Sequence, residues 1–247
     1  MEITVWKMRD IPIHMFNNYK QMDTCICVAG KKIRIHSASK PVKYFCRNYL
    51  CEDGREADDE ITMPREKSDW RAELLVLHER LANTLLKHDI LLIHGAAVAS
   101  EGVSCLFTGP SGRGKTTRMQ RWLEEYPDSF VVNGDKPFII VQDDRVLACG
   151  SPWGGKENLG SNVVIPLQAV FQIEWDEEGR GTQIQRLGPG EAFQCLYSQT
   201  HKPKTSEGVR KTLDLIGKML RQVPVYSFRS QPTREAMRVA HDALYQR

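Results

Sequence analysis

Between residues 109 and 116 the chain reads Gly-Pro-Ser-Gly-Arg-Gly-Lys-Thr, three glycines followed by a lysine and a hydroxyl. The spacing is G-x-x-x-x-G-K-[ST], and each residue type in it has a physical use. Glycine lets consecutive backbone N–H groups turn toward one point, and converging amides at the start of a helix hold phosphate groups. Lys115 would bridge the outer phosphates of a polyphosphate, and the Thr116 hydroxyl would hold Mg²⁺. The competing reading is a glycine-rich turn with an incidental lysine. An apolar run, "VSCLFTG", precedes the motif and a helix-compatible run from Lys115 to about Tyr126 follows it, which is the setting such a loop requires. The donor-binding candidates are therefore Gly109, Pro110, Ser111, Gly112, Arg113, Gly114, Lys115, Thr116 and Thr117.

A loop of this kind needs an acid to hold the metal, usually at the end of a nearby apolar strand. "FVVNGD" supplies Asp135 there, although Asn-Gly-Asp is also good turn chemistry and a plain turn aspartate stays open. Asp143 and Asp144, two acids between apolar runs, read as a hairpin turn. "GSPWGGKENLGSN", residues 150 to 162, is too glycine-rich for regular structure. Held beside a phosphate site it presents Lys156 to outer phosphates or to an anionic acceptor, with Glu157 as a fallback base; otherwise it is a solvated connector. Trp153 within it is equally suited to plug the core.

These residues need a scaffold, and the pattern around them is that of an α/β core with a β-rich front. Residues 1–66 read as a β-rich region for binding a substrate or partner, or for covering a sheet edge, and residues 67–247 as the nucleotide-binding domain. In the front part "CICVAGKKIRIH" predicts a hairpin around Gly30-Lys31, "VKYFCRNYL" continues the strand pattern, and the acidic "CEDGREADDE" predicts an exposed loop. Trp70, Leu74, Leu77, Leu81 and Leu85 recur at helical steps, with Ser68 placed as a cap. "ILLIHGAAVAS" and "VSCLFTG" flank a tight turn at Glu101-Gly102. Later strands are expected in "FVVNGDKPFIIVQ", "RVLACGS", "VVIPLQAVFQIE" and "PVYSFRS", and helices in "TSEGVRKTLDLIGKMLRQ" and "TREAMRVAHDALYQ".

Bulk properties name no partner. Thirty-four basic against 31 acidic residues leave a net charge of +3, far from the footprint of a nucleic-acid binder. No segment is apolar for the eighteen or so residues a membrane span requires, and no basic-then-apolar leader opens the chain, so a soluble cytoplasmic protein is expected. Seven scattered cysteines form no disulfide framework and no zinc knuckle. Between Gln199 and Ser230 seven Lys or Arg face Glu207 and Asp214. That stretch would steer an acidic peptide to the site, or is the solvated face of a helix.

In order and spacing, "LIHGAAVASEGVSCLFTGPSGRGKTT", "VVNGDKPFII", "GSPWGGKENLGSN" and "IPLQAVFQIE" resemble the HPr kinase and phosphoenolpyruvate carboxykinase superfamily. Within it the chain is most similar to bacterial HPr-kinase-like proteins, which include serine kinases that modify lasso peptide tails. The resemblance covers about residues 88 to 245, and the first 85 residues carry none of it. It implies a phosphate-loop core with a mixed β-sheet, binding ATP or a related donor with Mg²⁺ and phosphorylating a serine-type hydroxyl of a peptide or small protein. Thr116 and Asp135 are then the metal ligands, and His94, matching the histidine of the family's "HG" hairpin, either sits near the transferring phosphate or is structural. HPr kinases carry two adjacent aspartates at the strand end, whereas this chain has Gly134-Asp135. Either Asp135 serves both as base and as metal ligand, or another group takes the proton. A small-molecule kinase or carboxykinase-like enzyme on the same fold is a second reading, and a nucleotide-binding regulatory module without turnover is a third, favoured by Gly134. Assembly of several copies is compatible with all three.

Overall fold

The computed structural model of the protein describes residues 22–52, 56–64 and 70–245. Strands β1 (Met22–Val28) and β2 (Lys31–Ala38) form the expected hairpin, but its turn is Ala29-Gly30, one residue earlier than the spacing suggests. Both turn residues have positive φ, 50° and 73°, the two-residue geometry whose twist matches that of paired strands. Strand β3 (Asp59–Thr62) adds to β2 in parallel, so two acids of the expected loop belong to a strand.

"VKYFCRNYL" is not a strand. It forms helix α1 (Lys40–Phe45) followed by one 3₁₀ turn at Arg47–Tyr49. The Ser39 hydroxyl caps Val42 N–H, Pro41 supplies a preset φ in the first turn, and Val42 and Cys46 are buried four residues apart. Helix α2 (Trp70–Leu86) buries the predicted Leu74, Leu77, Leu81 and Leu85. Its expected cap Ser68 lies outside the described residues, as do the 66/67 boundary and everything before Met22.

The large sheet holds β4 (Ile90–Leu92), β5 (Gly95–Ser100), β6 (Val103–Thr108), β7 (Phe130–Asn133), β8 (Phe138–Val141), β9 (Val146–Cys149), β10 (Val164–Trp175), β11 (Gln183–Arg186) and β12 (Val225–Ser230). Its order is β4-β8-β9-β10-β6-β5-β7, with β12 also on β10 and β11 on β12. It forks at β10, whose first residues pair antiparallel with β9 while the remainder runs parallel to β6 and β12. The apolar run 90–100 breaks at Ile93-His94, sending β4 to β8 and β5 to β6 and β7.

Helices α3 (Lys115–Glu125), α4 (Pro189–Gln199), α5 (Ser206–Leu220) and α6 (Arg234–Asp242) complete a mixed α/β architecture. Thr205 and Thr233 cap α5 and α6 through bonds from Gly208 N–H and Ala236 N–H. Phe107, Met119, Trp122, Phe171, Phe228 and Met237 make the core under α3 and α6. A separate core joins the small sheet and α2 to Phe138, Cys149 and Trp153, so the β-rich front shares its apolar interior with the large sheet. Among the described residues no helix is long and apolar enough to cross a membrane.

Strand direction positions the site. Because β5 is antiparallel to both β6 and β7, and β10 is parallel to β6 and β12, the strands β6, β7, β10 and β12 all point the same way. Their C-terminal ends share one edge, where open α/β sheets bind ligands.

Candidate functional site

The loop after β6 lies at that edge. Gly109, Gly112 and Gly114 have φ of 143°, 82° and 84°, conformations that L side chains rarely adopt, so the turn depends on glycine. Gly114 is also the N-cap of α3 and contributes no side-chain cap, whereas Ser39, Thr205 and Thr233 cap the starts of α1, α5 and α6. The first amides of α3 keep their capacity for an anion. Lys115 is buried and its Nζ donates to the carbonyls of Gly109 at 2.9 Å and Pro110 at 3.1 Å. Burial pulls its ammonium pKa down, and Asp135 nearby opposes that shift.

One turn further, Arg118 is fully buried and pins α3 to the sheet. Its Nη2 donates to Ser230 O at 2.6 Å, Ser230 Oγ at 3.1 Å and Glu174 O at 3.3 Å, and its Nη1 to Arg113 O at 3.3 Å. Burial pushes the guanidinium down to about 10, leaving it charged.

Loop and sheet enclose a cavity of about 260 Å³ lined by His94, Ser111, Lys115, Thr116, Thr117, Asp135 and Lys156, with Gly112, Gly114, Gly134 and Gly155 between them. Seven side chains from four stretches of sequence thus converge. Of the other candidates, Gly109 contributes its carbonyl to Lys115, Pro110 and Arg113 line a neighbouring cavity, and Glu157 is exposed and does not line the first one.

Asp135 is held by a turn that Asn133 builds. Asn133 is buried, and its Oδ1 accepts from Asp135 N–H at 3.0 Å and Lys136 N–H at 2.7 Å. Its Nδ2 donates to the carbonyl and hydroxyl of Ser151, at 3.0 and 3.1 Å. Ser151 in turn donates from Oγ to Lys136 O at 2.6 Å, and its carbonyl also accepts from the Tyr49 phenol at 2.8 Å. The Asn-Gly-Asp turn thus sets Asp135 on the cavity wall.

The glycine-rich segment folds onto this turn. Leu159 O accepts from Gly134 N–H at 2.9 Å, and a Cβ on Gly134 would lie 2.5 Å from Gly154 O. No second carboxylate fits at residue 134 with the 154–159 segment in place. Trp153 is buried in the core, tilted against Phe45 and edge-on to His78, which burial pushes down to about 3.

His94 stands beside Asp135, with Nε2 3.4 Å from Oδ1. Its Nδ1 is 3.1 Å from Gln199 Oε1, at the end of α4. Ser198 Oγ spends its hydrogen on Cys195 O at 2.8 Å and so accepts from Gln199 Nε2 at 3.1 Å, which turns Oε1 toward the imidazole. With Nδ1 against the Gln199 amide oxygen, Nε2 is the ring atom that faces Asp135. Gln199 escapes the sequence reading because α4 does. The signal for that helix was Pro189 in its first turn with Glu191 reaching back to Gly188 N–H.

The basic stretch after Gln199 is largely neutralised: Lys204 pairs with Glu79 at 2.8 Å, Lys218 with Asp143 at 3.1 Å, Arg229 with Glu174 at 2.9 Å, and Lys211 with Asp89. That favours the solvated-face reading over a strip for acidic peptides. Among the described residues no group of three His, Cys, Asp or Glu is placed to hold a metal ion by itself. No protein-family model matches the chain, and no curated protein is significantly similar to it.

Proposed function

We propose that the chain is an ATP- and Mg²⁺-dependent phosphotransferase with a phosphate-loop core of the HPr kinase and phosphoenolpyruvate carboxykinase type, acting on a serine-type hydroxyl of a peptide or small protein. The observation that carries the reading is the convergence of Lys115, Thr116, Asp135, His94 and Lys156 on one cavity. The donor set suits the ligands: the Thr116 hydroxyl and Asp135 carboxylate are hard oxygens of the type Mg²⁺ takes, and uncapped amides with two ammonium groups suit a polyphosphate. Bound Mg²⁺ neutralises charge on the transferring phosphoryl group.

The protein's own part is positioning and charge. Lys115 exchanges its loop carbonyls for outer phosphate oxygens, and Lys156 brings a second cation on the glycine-rich segment. With no room for a carboxylate at residue 134, the proton of the acceptor hydroxyl falls to Asp135 or to His94 Nε2 beside it. A cytoplasmic setting accords with seven free cysteines.

The full chain incubated with γ-labelled ATP and Mg²⁺, with and without serine-containing peptides, tests the proposal. Label on a serine is the expected result. The missing carboxylate at Gly134 favours a second reading, a nucleotide-binding regulatory module, and ATP bound but unconsumed with every acceptor would select it. Absence of any ATP binding would sink both.

A further inference from the structure

Of the seven free cysteines five are buried, and the two that are not, Cys27 and Cys51, meet each other. We infer that Cys27 and Cys51 are a modification site, a thiol pair that a low-molecular-weight disulfide such as oxidised glutathione converts reversibly to a disulfide, and that this bond loosens the turn holding Asp135. The inference goes beyond the phosphotransferase reading and does not depend on it.

Strand register brings the sulfurs together. Side chains alternate along β1, so Cys25 and Cys27 share one face while Ile26 fills the core on the other. Just after the 3₁₀ turn, Leu50 pairs antiparallel with Ile26, and Cys51 N–H donates to Cys25 O at 3.1 Å. Cys51 therefore stands opposite Cys25 on the cysteine face, and its thiol hydrogen-bonds to that of Cys27, its diagonal neighbour. Lys32 is the partner of Cys27 across β1 and β2 and adds a cation to the same face. Three sulfurs here do not make a metal site, because no group of three His, Cys, Asp or Glu among the described residues has that placement.

Thiol chemistry assigns the two roles. Burial, and then the bond with Cys27, push the Cys51 thiol up to about 12, against the pull of the Lys32 ammonium. Cys51 keeps its proton, so Cys27 is the sulfur that attacks. The Cys27 thiolate displaces one glutathione thiolate from oxidised glutathione, leaving a mixed disulfide on Cys27. The Cys51 sulfur, giving up its proton, then attacks the Cys27 sulfur and expels the second glutathione. The two protein S–H protons end on two glutathione thiols, the pair loses two electrons, and oxidised glutathione gains the same two. The second step waits on the Cys51 proton, so the mixed disulfide accumulates first. Excess reduced thiol runs both steps backward, which is how such pairs serve in a reducing compartment.

Two hydrogen bonds carry the change to the site. A disulfide sets its sulfurs about 2 Å apart and its Cα atoms within about 7 Å, whereas diagonal neighbours on paired strands stand about 7 to 8 Å apart. The segment ending at Cys51 must therefore shift toward β1. Tyr49, two residues earlier, donates to Ser151 O at 2.8 Å, the carbonyl that Asn133 Nδ2 also holds at 3.0 Å. From the other side Asn162 Nδ2 donates to Cys27 O at 3.1 Å, tying β1 to the end of the glycine-rich segment. Both ties lead to residues that frame Asp135.

The full chain, with Cys27→Ser and Cys51→Ser beside it, is incubated with oxidised glutathione at neutral pH and followed by intact mass and peptide mapping. The wild type should gain one glutathione and then lose it together with two hydrogens, leaving one disulfide between the peptides that hold residues 27 and 51. Cys51→Ser should stop at the adduct, and Cys27→Ser should form an adduct at least ten-fold more slowly. In the disulfide form the Asp135 and Lys136 amides, which donate to Asn133 Oδ1 at 3.0 and 2.7 Å, should exchange several-fold faster and return to the original rate after dithiothreitol. No loss of two hydrogens, or a disulfide on another pair, overturns the modification site. A 27–51 disulfide with unchanged exchange at 135 and 136 overturns its link to the turn. Titration of the reduced protein with ATP reads the phosphate loop separately, so neither failure is mistaken for the other.

Discussion

The Tyr49 phenol donates to the Ser151 carbonyl at 2.8 Å, a bond between residues 102 apart in sequence. Ser151 also accepts from Asn133, and Asn133 shapes the turn that aims Asp135. The small N-terminal sheet and its 3₁₀ turn thus bear on the candidate site through three buried polar groups. Tyr49→Phe keeps the ring and removes the donor. Stability should fall by about 1 kcal/mol, the common net value of one buried hydrogen bond. Because Asn133 still holds Ser151, the turn should loosen rather than collapse, so kcat should fall several-fold with KM for ATP little changed. Thermal unfolding and steady-state kinetics on the same preparation check both parts, and a drop in stability with kcat untouched would cut the front region out of the site.

An acid placed at residue 134 should not serve as a second base. In Gly134→Asp the new Cβ meets Gly154 O at 2.5 Å and Leu159 O at 3.3 Å, both backbone atoms. Relief requires moving the segment that carries Lys156, so a loss of about 2 kcal/mol or more is expected, with lower activity. A variant as stable as the parent and more active would show that the 154–159 segment yields freely.

Lys115→Ala removes a buried ammonium that bonds two loop carbonyls. The backbone of the loop is set by its glycines, so the fold should persist while ATP affinity falls by at least ten-fold and turnover is lost. Asp135→Asn is nearly isosteric and should abolish turnover while leaving part of the nucleotide affinity, with the Mg²⁺ dependence of that affinity weakened. Calorimetry with and without Mg²⁺ separates the two variants. Phosphate transfer by Lys115→Ala would refute the donor site.

What the sequence made legible was local chemistry. The positive-φ glycine turn at 109–114, the start of α3 and the caps Thr205 and Thr233 follow from residue type and short spacing, and the structure has them there. One short-range reading failed for a local reason, and another missed a break. "VKYFCRNYL" alternates like a strand, yet Ser39 and Pro41 are helix-start signals and outweigh the alternation. The "ILLIHGAAVAS" run looks continuous, but Ile93-His94 is where the chain leaves one part of the sheet for another. Long-range contacts left no trace at all. Nothing near Asn133 announces Ser151, nothing near Tyr49 announces either, and Gln199 reaches His94 across 105 residues. Those partners are set by sheet order, which residue spacing does not encode.

A pH effect on stability should come from His36, which sits on the central strand of the small sheet between two carboxylates. Nδ1 lies 2.8 Å from Asp23 on β1, and Nε2 lies 3.1 Å from Glu60 on β3. The bond to Asp23, then that to Glu60, raises the imidazole pKa above its usual value of about 6.5, and the bond to His36 lowers that of Asp23. For His36 the folded pKa is the higher one, so its contribution is fully present below about pH 6.5 and is lost as pH rises through the raised folded value. For Asp23 the folded pKa is the lower one, so its contribution is present above about pH 4 and is lost as pH falls through that lowered value. The small sheet should therefore be firmest between about pH 4 and 6.5. His36→Gln should flatten this dependence, and salt should weaken it because the groups are partly exposed. Amide exchange in β1 and β2, compared at pH 5.5 and 8 after correction for intrinsic rates, reads the effect directly. Equal protection at both values in the wild type, or the same difference in His36→Gln, would remove His36 from the account.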